Sequence, residues 1–314
     1  MSPLKSIVTG ASGFVGSKVV EQLVKAGFDV LAIGRKTKNN LPFNRERMLE
    51  GSLYYSGDID DINKLKKFAI DSKFLGSNLA SVIHLAWWGR TKVSDLDYYA
   101  QYHNVTRAIK LYELANELKA AKFIFCGTME ESFAKAYTNM DYKKDKKYNR
   151  HVIYSLAKTA SRNALKLSYS EGRPKPIFTS NSHVIGPGDE KDSFLQVTLK
   201  KMINKQDILM TSGEQNFDTI HVDDCARAYV AITKSGKGGA SYCVGSGNPK
   251  KLKEYVLEMD SVFPGSTIKF GAVELNDEIL PLETFCTNQL KEDTGFEASI
   301  SFTDSIKELS RTLQ

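Results

Sequence analysis

The chain has 314 residues and a formal net charge of +6, long enough to bury a large core as one domain or as one domain carrying a smaller lobe. Its apolar and charged fractions are ordinary for a globular protein, and no apolar run approaches the ~18 residues of a membrane span. Cys126, Cys225, Cys243 and Cys286 lie far apart without Cys-x-x-Cys spacing, and the five histidines show no ligand spacing, so neither a disulfide framework nor a metal site is expected. The positive excess is densest at Lys143, Lys144, Lys146 and Lys147, inside a polar stretch from Asp141 to Arg150. That run reads as a solvated loop rather than a nucleic-acid footprint, which would want a basic stripe on a structured face. With a first strand beginning close to Met1, no removable leader is expected and the chain reads as cytoplasmic. Neither a nucleic acid nor a membrane is expected as a partner.

In chain order, Ile7-Val8-Thr9 is the first predicted strand. Gly10-Ala11-Ser12-Gly13-Phe14-Val15-Gly16 follows, opening a helix with Val15, Val19, Val20, Leu23 and Val24 on one face and Gly27 at its end. Strand, glycine turn and helix make a phosphate cradle. The glycines allow a tight turn and close backbone approach, and the helix N-terminus offers free N–H groups to a pyrophosphate. Glycines alone would also suit a plain turn; the flanking strand and helix favour a nucleotide site. Their spacing is two residues and two residues, not the one and two of the ordinary dinucleotide fingerprint.

Val30 to Ile33 is the second predicted strand and ends in Gly34-Arg35-Lys36. An acidic residue near this point would bond the adenosine ribose and favour NAD. Here two cations stand where the 2′-phosphate of NADP would sit, so NADP(H) is preferred and NAD(H) is the alternative. Tyr54-Tyr55-Ser56 precedes Gly57-Asp58 as the third strand, and a helix pattern through Ile62, Leu65 and Ala69 leads to the fourth, Ser81 to Ala86. A helix over Asp95 to Lys119, a buried strand Lys122 to Cys126, a helix from His151 to Glu171 and a strand Ile177-Phe178-Thr179 follow. This alternation predicts an α/β fold, a Rossmann-like doubly wound parallel sheet with ligands at the carboxyl ends of its strands. After Gly186-Pro187-Gly188 the rhythm is less regular. Residues 1–178 and 217–244 are expected to form the nucleotide-binding part, and 179–216 and 245–314 a smaller, discontinuous substrate lobe.

Tyr154 and Lys158 lie one helical turn apart on one face. A nearby cation stabilises phenolate, which is expected to bring the tyrosine down from about 10 toward values useful in acid–base work. Tyr142 and Lys146 share the spacing but sit in the polar stretch and read as coincidence. Leu156, Ala160, Ala164 and Leu167 are expected to pack against the sheet. Thr128, at the carboxyl end of its strand, has a hydroxyl that could bond a substrate carbonyl or cap the next element. Trp87 and Trp88 could shape a sugar pocket or pack beneath the loop that follows.

Together these residues resemble the extended short-chain dehydrogenase/reductase superfamily, in its nucleotide-sugar epimerase, dehydratase and reductase branch, over nearly the whole chain. Gly10, Gly13 and Gly16 have that family's own spacing. Gly57-Asp58-Ile59 is similar to its adenine-contacting motif, and His84-Leu85-Ala86 to the strand end beside the cofactor ribose. Asn104 matches a structural asparagine, and Thr128, Tyr154 and Lys158 match the catalytic Ser/Thr, Tyr and Lys. Gly186-Pro187-Gly188-Asp189 resembles the turn entering the substrate lobe, and Asp218 to Asp224 a late family motif of a strand followed by a helix opened by paired aspartates.

The resemblance implies a cofactor along Gly10, Ser12, Gly13, Phe14, Val15, Gly16, Arg35, Lys36, Asp58, Ile59, Leu85 and Ala86, with Tyr154 and Lys158 at its nicotinamide end. It implies a nucleotide-sugar substrate met by Trp87, Thr128, Met129, Glu130, His183 and Phe217. Tyr154 would exchange a proton with the sugar C4 oxygen, Lys158 would lower its pKa and hold the ribose, and Thr128 would orient the oxygen. Dehydratases of the family carry an Asp-Glu pair after the threonine; here Met129 replaces the first acid. Phe217 stands where many members hold the substrate diphosphate with an arginine, leaving that contact to His183 or the Lys200-Lys201 pair. The expected activity is NADPH-dependent reduction of a nucleotide-linked 4-keto-6-deoxy sugar. An NAD-dependent 4-epimerase and, in another class, an NADPH-sensing binding module are the alternatives. A homodimer through the helices of Asp95 to Lys119 and His151 to Glu171 is expected from the same resemblance.

Overall fold

Short apolar runs closed by glycine or asparagine turns become strands, and the amphipathic stretches between them become helices. The computed structural model describes residues 3–41, 45–74, 78–89, 97–139, 152–189, 193–274 and 278–313. The first half runs β1 (Lys5–Thr9), α1 (Phe14–Lys25), β2 (Asp29–Gly34), α2 (Arg45–Met48), β3 (Leu53–Ser56), α3 (Ile62–Asp71) and β4 (Leu79–His84). It continues with α4 (Tyr98–Glu117), β5 (Lys122–Thr128), α5 (Ala134–Thr138), α6 (Val152–Ser168) and β6 (Pro176–Asn181). The second half holds β7 (His183–Ile185), α7 (Phe194–Ile203), β8 (Ile208–Leu209), β9 (Asn216–Phe217), β10 (Thr219–His221) and α8 (Val222–Ser235). It ends with β11 (Ser241–Val244), β12 (Lys250–Lys251), α9 (Leu252–Val262), β13 (Ile268–Lys269), α10 (Asn288–Thr294) and α11 (Phe302–Ser310).

Seven parallel strands form the main sheet in the order β11-β6-β5-β4-β1-β2-β3. Its central strands are covered on both faces, so they read as continuous apolar runs such as Phe123-Ile124-Phe125 rather than as alternation. On one face Val19, Val20 and Leu23 of α1 share a core with Cys225, Tyr229 and Ile232 of α8. On the other, Leu65 of α3, Leu111 and Tyr112 of α4 and Leu165 of α6 close over Leu31, Val82 and Phe123. Strand order reverses between β1 and β4, where Thr9 pairs with His84. The chain therefore leaves these neighbours in opposite directions and opens a crevice above them.

A third core gathers Leu195, Leu199 and Met202 of α7, Val256 and Met259 of α9, and Ile306 and Leu309 of α11. Two contacts bear on where the sheet and the smaller lobe meet. Strand β6 continues to Asn181, because Val244 of β11 pairs with it there. Leu290 and Phe296, placed by sequence in the smaller lobe, bury instead in the sheet's own core with Tyr242 and Tyr229.

The face expected for α6 is corrected. Ile153, Ala157, Ser161 and Leu165 are the buried residues, whereas Leu167 is 86% exposed. The polar residues Ser155, Lys158 and Ser161 lie on the buried side, which disguised its period. Tyr142 with Lys146, the run Lys143 to Lys147, Asp95 and His151 lie outside the described residues. Among the described residues, no helix is long and apolar enough to cross a membrane.

Candidate active site

The crevice begins at a backbone that only glycine permits. Gly10 has φ +75°, and a Cβ there would stand 2.7 Å from the Ala86 nitrogen. A side chain at Gly16 would overlap the Gly10 carbonyl oxygen, so Gly16 lets α1 butt against the loop. Gly13 donates its N–H to Gly10 O at 2.9 Å, and Ala11 donates to Ile33 O at 3.0 Å. Gly13 is the N-cap of α1 without a side-chain cap, and the first turn holds no acid. The helix start thus keeps its donors and dipole available to an anion.

A cleft of about 270 Å³ extends from this loop over β2 and the end of β4. It brings together Gly10, Ser12, Gly13, Arg35, Lys36, Asp58, Ile59, Leu85, Ala86 and Trp87, all expected at a cofactor or substrate. Phe14, Val15 and Gly16 form the adjoining first turn of α1.

Arg45, Trp88, Asn104 and Arg107 line the same cleft. Sequence reasoning missed Arg45 and Arg107 altogether. Arg45 is buried and donates to Ser12 O at 2.9 Å and to Gly188 O at 2.8 Å, tying the phosphate loop to the turn after β7. No local pattern around Arg-Glu-Arg-Met announces this, since both acceptors are distant in sequence. Arg107 pairs with Asp58 and Asp60 and stacks 4.9 Å from the Trp88 ring. Hydrogen bonding from Arg107, joined by His103, holds the Asp60 carboxyl well below the usual carboxylate range. Asn104 clamps the Trp88 backbone, donating to its carbonyl at 2.7 Å and accepting its N–H at 2.9 Å, as a structural asparagine would.

Beyond Trp87 lies the second group. Tyr154 is partly buried in the first turn of α6 with its ring edge-on to Trp87 at 5.7 Å. Its hydroxyl is hydrogen-bonded to the Thr128 side chain. Thr128 also caps the next turn, its hydroxyl accepting the Glu130 N–H at 3.3 Å. The capping reading of Thr128 is the one observed, and a hydroxyl with one donor and two acceptor sites keeps capacity for a further partner. Lys158 donates from Nζ to Cys126 O at 2.6 Å, and its ammonium lies 3.9 Å from the Trp87 ring centroid and 5.0 Å from that of Phe125.

The expected lowering of the Tyr154 pKa is corrected. Burial pushes the phenol well above its ordinary range, the Glu130 and Glu131 carboxylates add to it, and the Thr128 hydrogen bond does not offset them. Lys158 directs its charge to the Cys126 carbonyl and the aromatic rings instead. Beneath it, His84 accepts or donates at Nδ1 to Thr9 Oγ1 at 2.8 Å; burial brings its pKa down to about 3, so the imidazole is neutral at pH 7.

Five expected substrate residues do not line the cleft: Thr128, which lies with Tyr154 and Lys158 beyond Trp87, and the four that follow. His183 and Phe217 pack on each other with ring centroids 5.6 Å apart, and Phe217 continues onto Tyr255. Met129 packs against the apolar cluster of Phe133, Tyr137, Leu280 and Phe285. Glu130 accepts the Ser155 hydroxyl on its backbone carbonyl at 2.6 Å. Lys200 and Lys201 occupy the last turn of α7 and do not line the cleft.

A parallel doubly wound sheet, a glycine cradle at its switch point and a Thr-Tyr-Lys group beside it define a nucleotide-cofactor enzyme of the short-chain dehydrogenase/reductase type. Residues 6–245 match the NAD dependent epimerase/dehydratase family. The chain belongs to that family, NAD(P)-dependent enzymes of nucleotide sugars. It is 30% identical to CDP-abequose synthase of Salmonella typhimurium over 98% of this chain and 97% of that protein. It is 24% identical to dTDP-4-dehydro-6-deoxy-D-allose reductase of Streptomyces bikiniensis, covering 74% of this chain and 73% of the other. Among solved structures, UDP-glucose 4-epimerase of Thermotoga maritima with UDP-glucose shares the fold with a TM-score of 0.74. It is 20% identical and covers 99% of this chain and 100% of that one.

Proposed function

We propose that the protein is an NADPH-dependent reductase of a nucleotide-linked 4-keto-6-deoxy sugar. The observation that carries this reading is the Tyr154–Thr128 hydroxyl pair, with Lys158 one turn on, at the end of a cleft whose far wall is Arg35 and Lys36. The cleft suits a dinucleotide: Gly10 and Gly16 let the loop pack tightly against the end of β4 and the start of α1, and the open α1 N-terminus suits a pyrophosphate. Asp58 and Ile59 flank the adenine end, Leu85 and Ala86 the ribose. Arg35 and Lys36 meet a 2′-phosphate, where an NAD enzyme would place an acid.

A nicotinamide held by the glycine loop and the ends of β2 and β4 would supply the hydride for reduction at C4 of the sugar. Tyr154 gives its proton to the C4 oxygen, and the high phenol pKa keeps that proton in place until the carbonyl arrives. Thr128 orients the oxygen. Lys158 turns from Cys126 O to the ribose and supports the charge that Tyr154 develops. Trp87, pressed on Tyr154, walls the sugar site. Met129, packed among apolar side chains, cannot act as the acid of a dehydratase. The relatives named for CDP-abequose and for a dTDP-4-dehydro-6-deoxy sugar favour reduction, while UDP-glucose 4-epimerases favour the second reading, epimerisation. A homodimer through α4 and α6 fits Tyr99, 92% exposed, and Leu167; light scattering at a single chain mass would remove it.

Calorimetric titration with NADPH and NADH, followed by CDP- and dTDP-linked 4-keto-6-deoxy sugars, tests the reading. Tighter NADPH binding and stoichiometric loss of reduced-nicotinamide absorbance are expected. Arg35→Ser should weaken NADPH about 10- to 100-fold, the size of one charged hydrogen bond, and leave NADH nearly unchanged. Retained NAD with sugar isomers interconverting and no net oxidation would establish the epimerase instead.

A further inference from the structure

Glu131 and Arg162 form an ion pair in which the side chains are 8% and 13% exposed. Arg162 Nε donates to Glu131 Oε2 at 2.6 Å and Nη2 to Oε1 at 3.3 Å, a two-pronged contact. Pairs this buried often stabilise a fold no better than apolar residues of equal volume, so stability alone does not account for it. What the pair touches does. Glu131 Oε1 accepts the Thr128 backbone N–H at 2.9 Å. Arg162 Nη2 donates to Thr179 O at 3.1 Å and Ser180 Oγ at 3.3 Å on β6, and Nη1 to Ser241 Oγ at 3.3 Å on β11.

The spacing is equally specific. Tyr154, Lys158 and Arg162 follow one another at successive helical turns on one face of α6. Thr128 and Glu131 are the first and last positions of a single capping turn. The helix bearing Tyr154 and the turn bearing Thr128 are therefore joined at three places: the two hydroxyls, the Ser155 hydroxyl on Glu130 O, and the ion pair. Gly127 completes the arrangement. A side chain there would overlap Thr179 O and Glu131 Oε1 and come within 2.8 Å of Arg162 Nη2, so its absence admits the pair.

We infer that Glu131 and Arg162 are positioning residues for proton transfer: they hold Thr128 at a fixed separation from Tyr154, so that the two hydroxyls meet the same substrate oxygen. This rests on the assignment of Thr128 and Tyr154 given above. Both act as positioning residues through Thr128, and the Glu131 carboxylate bears in addition on the Tyr154 phenol. A displacement of about 1 Å at a reacting group can cost 10²-fold in rate.

The test is a double-mutant cycle on the full chain. Glu131→Gln keeps an acceptor for the Thr128 N–H and removes the charge; Arg162→Met removes the fork; Arg162→Lys keeps the charge. Arg162→Met should lower kcat about 10- to 100-fold with KM and NADPH affinity little changed, Glu131→Gln should fall less, and Arg162→Lys should recover part of the loss. In a Thr128→Ala background the same substitutions should cost almost nothing further, because the residue they act through is gone. Equal losses in both backgrounds, or a lowered Tm with kcat intact, would overturn the inference in favour of a plain staple between α6 and the sheet.

Amide hydrogen exchange at Thr128 gives a readout without turnover. Faster exchange in Arg162→Met is expected, and unchanged exchange would overturn the clamp. A wild-type protein that reduces no 4-keto sugar yet shows this faster exchange would remove the functional reading and leave the clamp on Thr128 standing.

Discussion

Replacing Tyr154 with phenylalanine is expected to lower reductase turnover by about 10²- to 10⁴-fold, the range of one positioned proton donor, while NADPH affinity stays nearly unchanged. The substitution keeps the ring that stacks on Trp87 and removes only the hydroxyl bonded to Thr128. A binding module that senses the cofactor without chemistry would keep its function in this variant, so full retention of activity would remove Tyr154 from the site. The same variant isolates the titration of the phenol. Burial holds Tyr154 above the ordinary tyrosine range, so the wild-type minus variant absorbance should show no phenolate up to pH about 10 in the free protein. A phenolate forming near neutrality would mean that Lys158, and not burial, governs the group. In the reductive direction a high pKa is suitable, since the tyrosine must arrive protonated.

Gly10→Ala carries the second large effect. At φ +75° an alanine is strained by about 1–3 kcal/mol. Its Cβ would also press on backbone, 2.7 Å from Ala86 N and 2.9 Å from Leu85 C, where no rotamer can give way. Forced overpacking of this kind costs a further ~1–3 kcal/mol. A loss of roughly 2–6 kcal/mol is a large part of a typical 5–15 kcal/mol stability, and the loops after β1 and β4 would be pushed apart, abolishing nucleotide binding. Gly27→Ala is the control. It has φ +84° with nothing within 4 Å of the added Cβ, so it carries only the backbone term. Urea unfolding of both variants, with calorimetry for NADPH, checks the argument. Equal destabilisation at the two positions would remove the crowding term.

What the sequence disclosed was local. The glycine turn, its flanking strand and helix and the Tyr154–Lys158 spacing each depend on neighbours within a few residues, and all of them are where the pattern put them. The strands Phe123 to Cys126 and Ile177 to Thr179 were legible because burial on both faces leaves an unbroken apolar run. The errors share one cause, contacts between residues far apart in the chain. The α6 face was misread because Ser155, Lys158 and Ser161 point inward toward partners contributed by other strands and turns. Arg45 gave no signal, since its acceptors are 33 and 143 residues away. The phenol pKa was misjudged for the same reason: spacing reveals a cation one turn on, but not that Cys126 O already holds it. Phe217 stands where many family members place a diphosphate-binding arginine, and its ring contacts with His183 and Tyr255 accord with the absence of an electrostatic contact there.

The chain contains two tryptophans, and both line the cleft. One lies against the Lys158 ammonium and the other against the Arg107 guanidinium. All of the indole emission of this protein therefore originates within one nucleotide's length of the phosphate loop. The protein carries a built-in optical gauge of that crevice, sensitive to any ligand that moves either cation and able to pass excitation to a reduced nicotinamide beside it. Loosening confined to the lobe of α7, α9 and α11 would leave the signal unaltered, so emission and far-ultraviolet dichroism followed together would separate events at the cleft from events in the lobe.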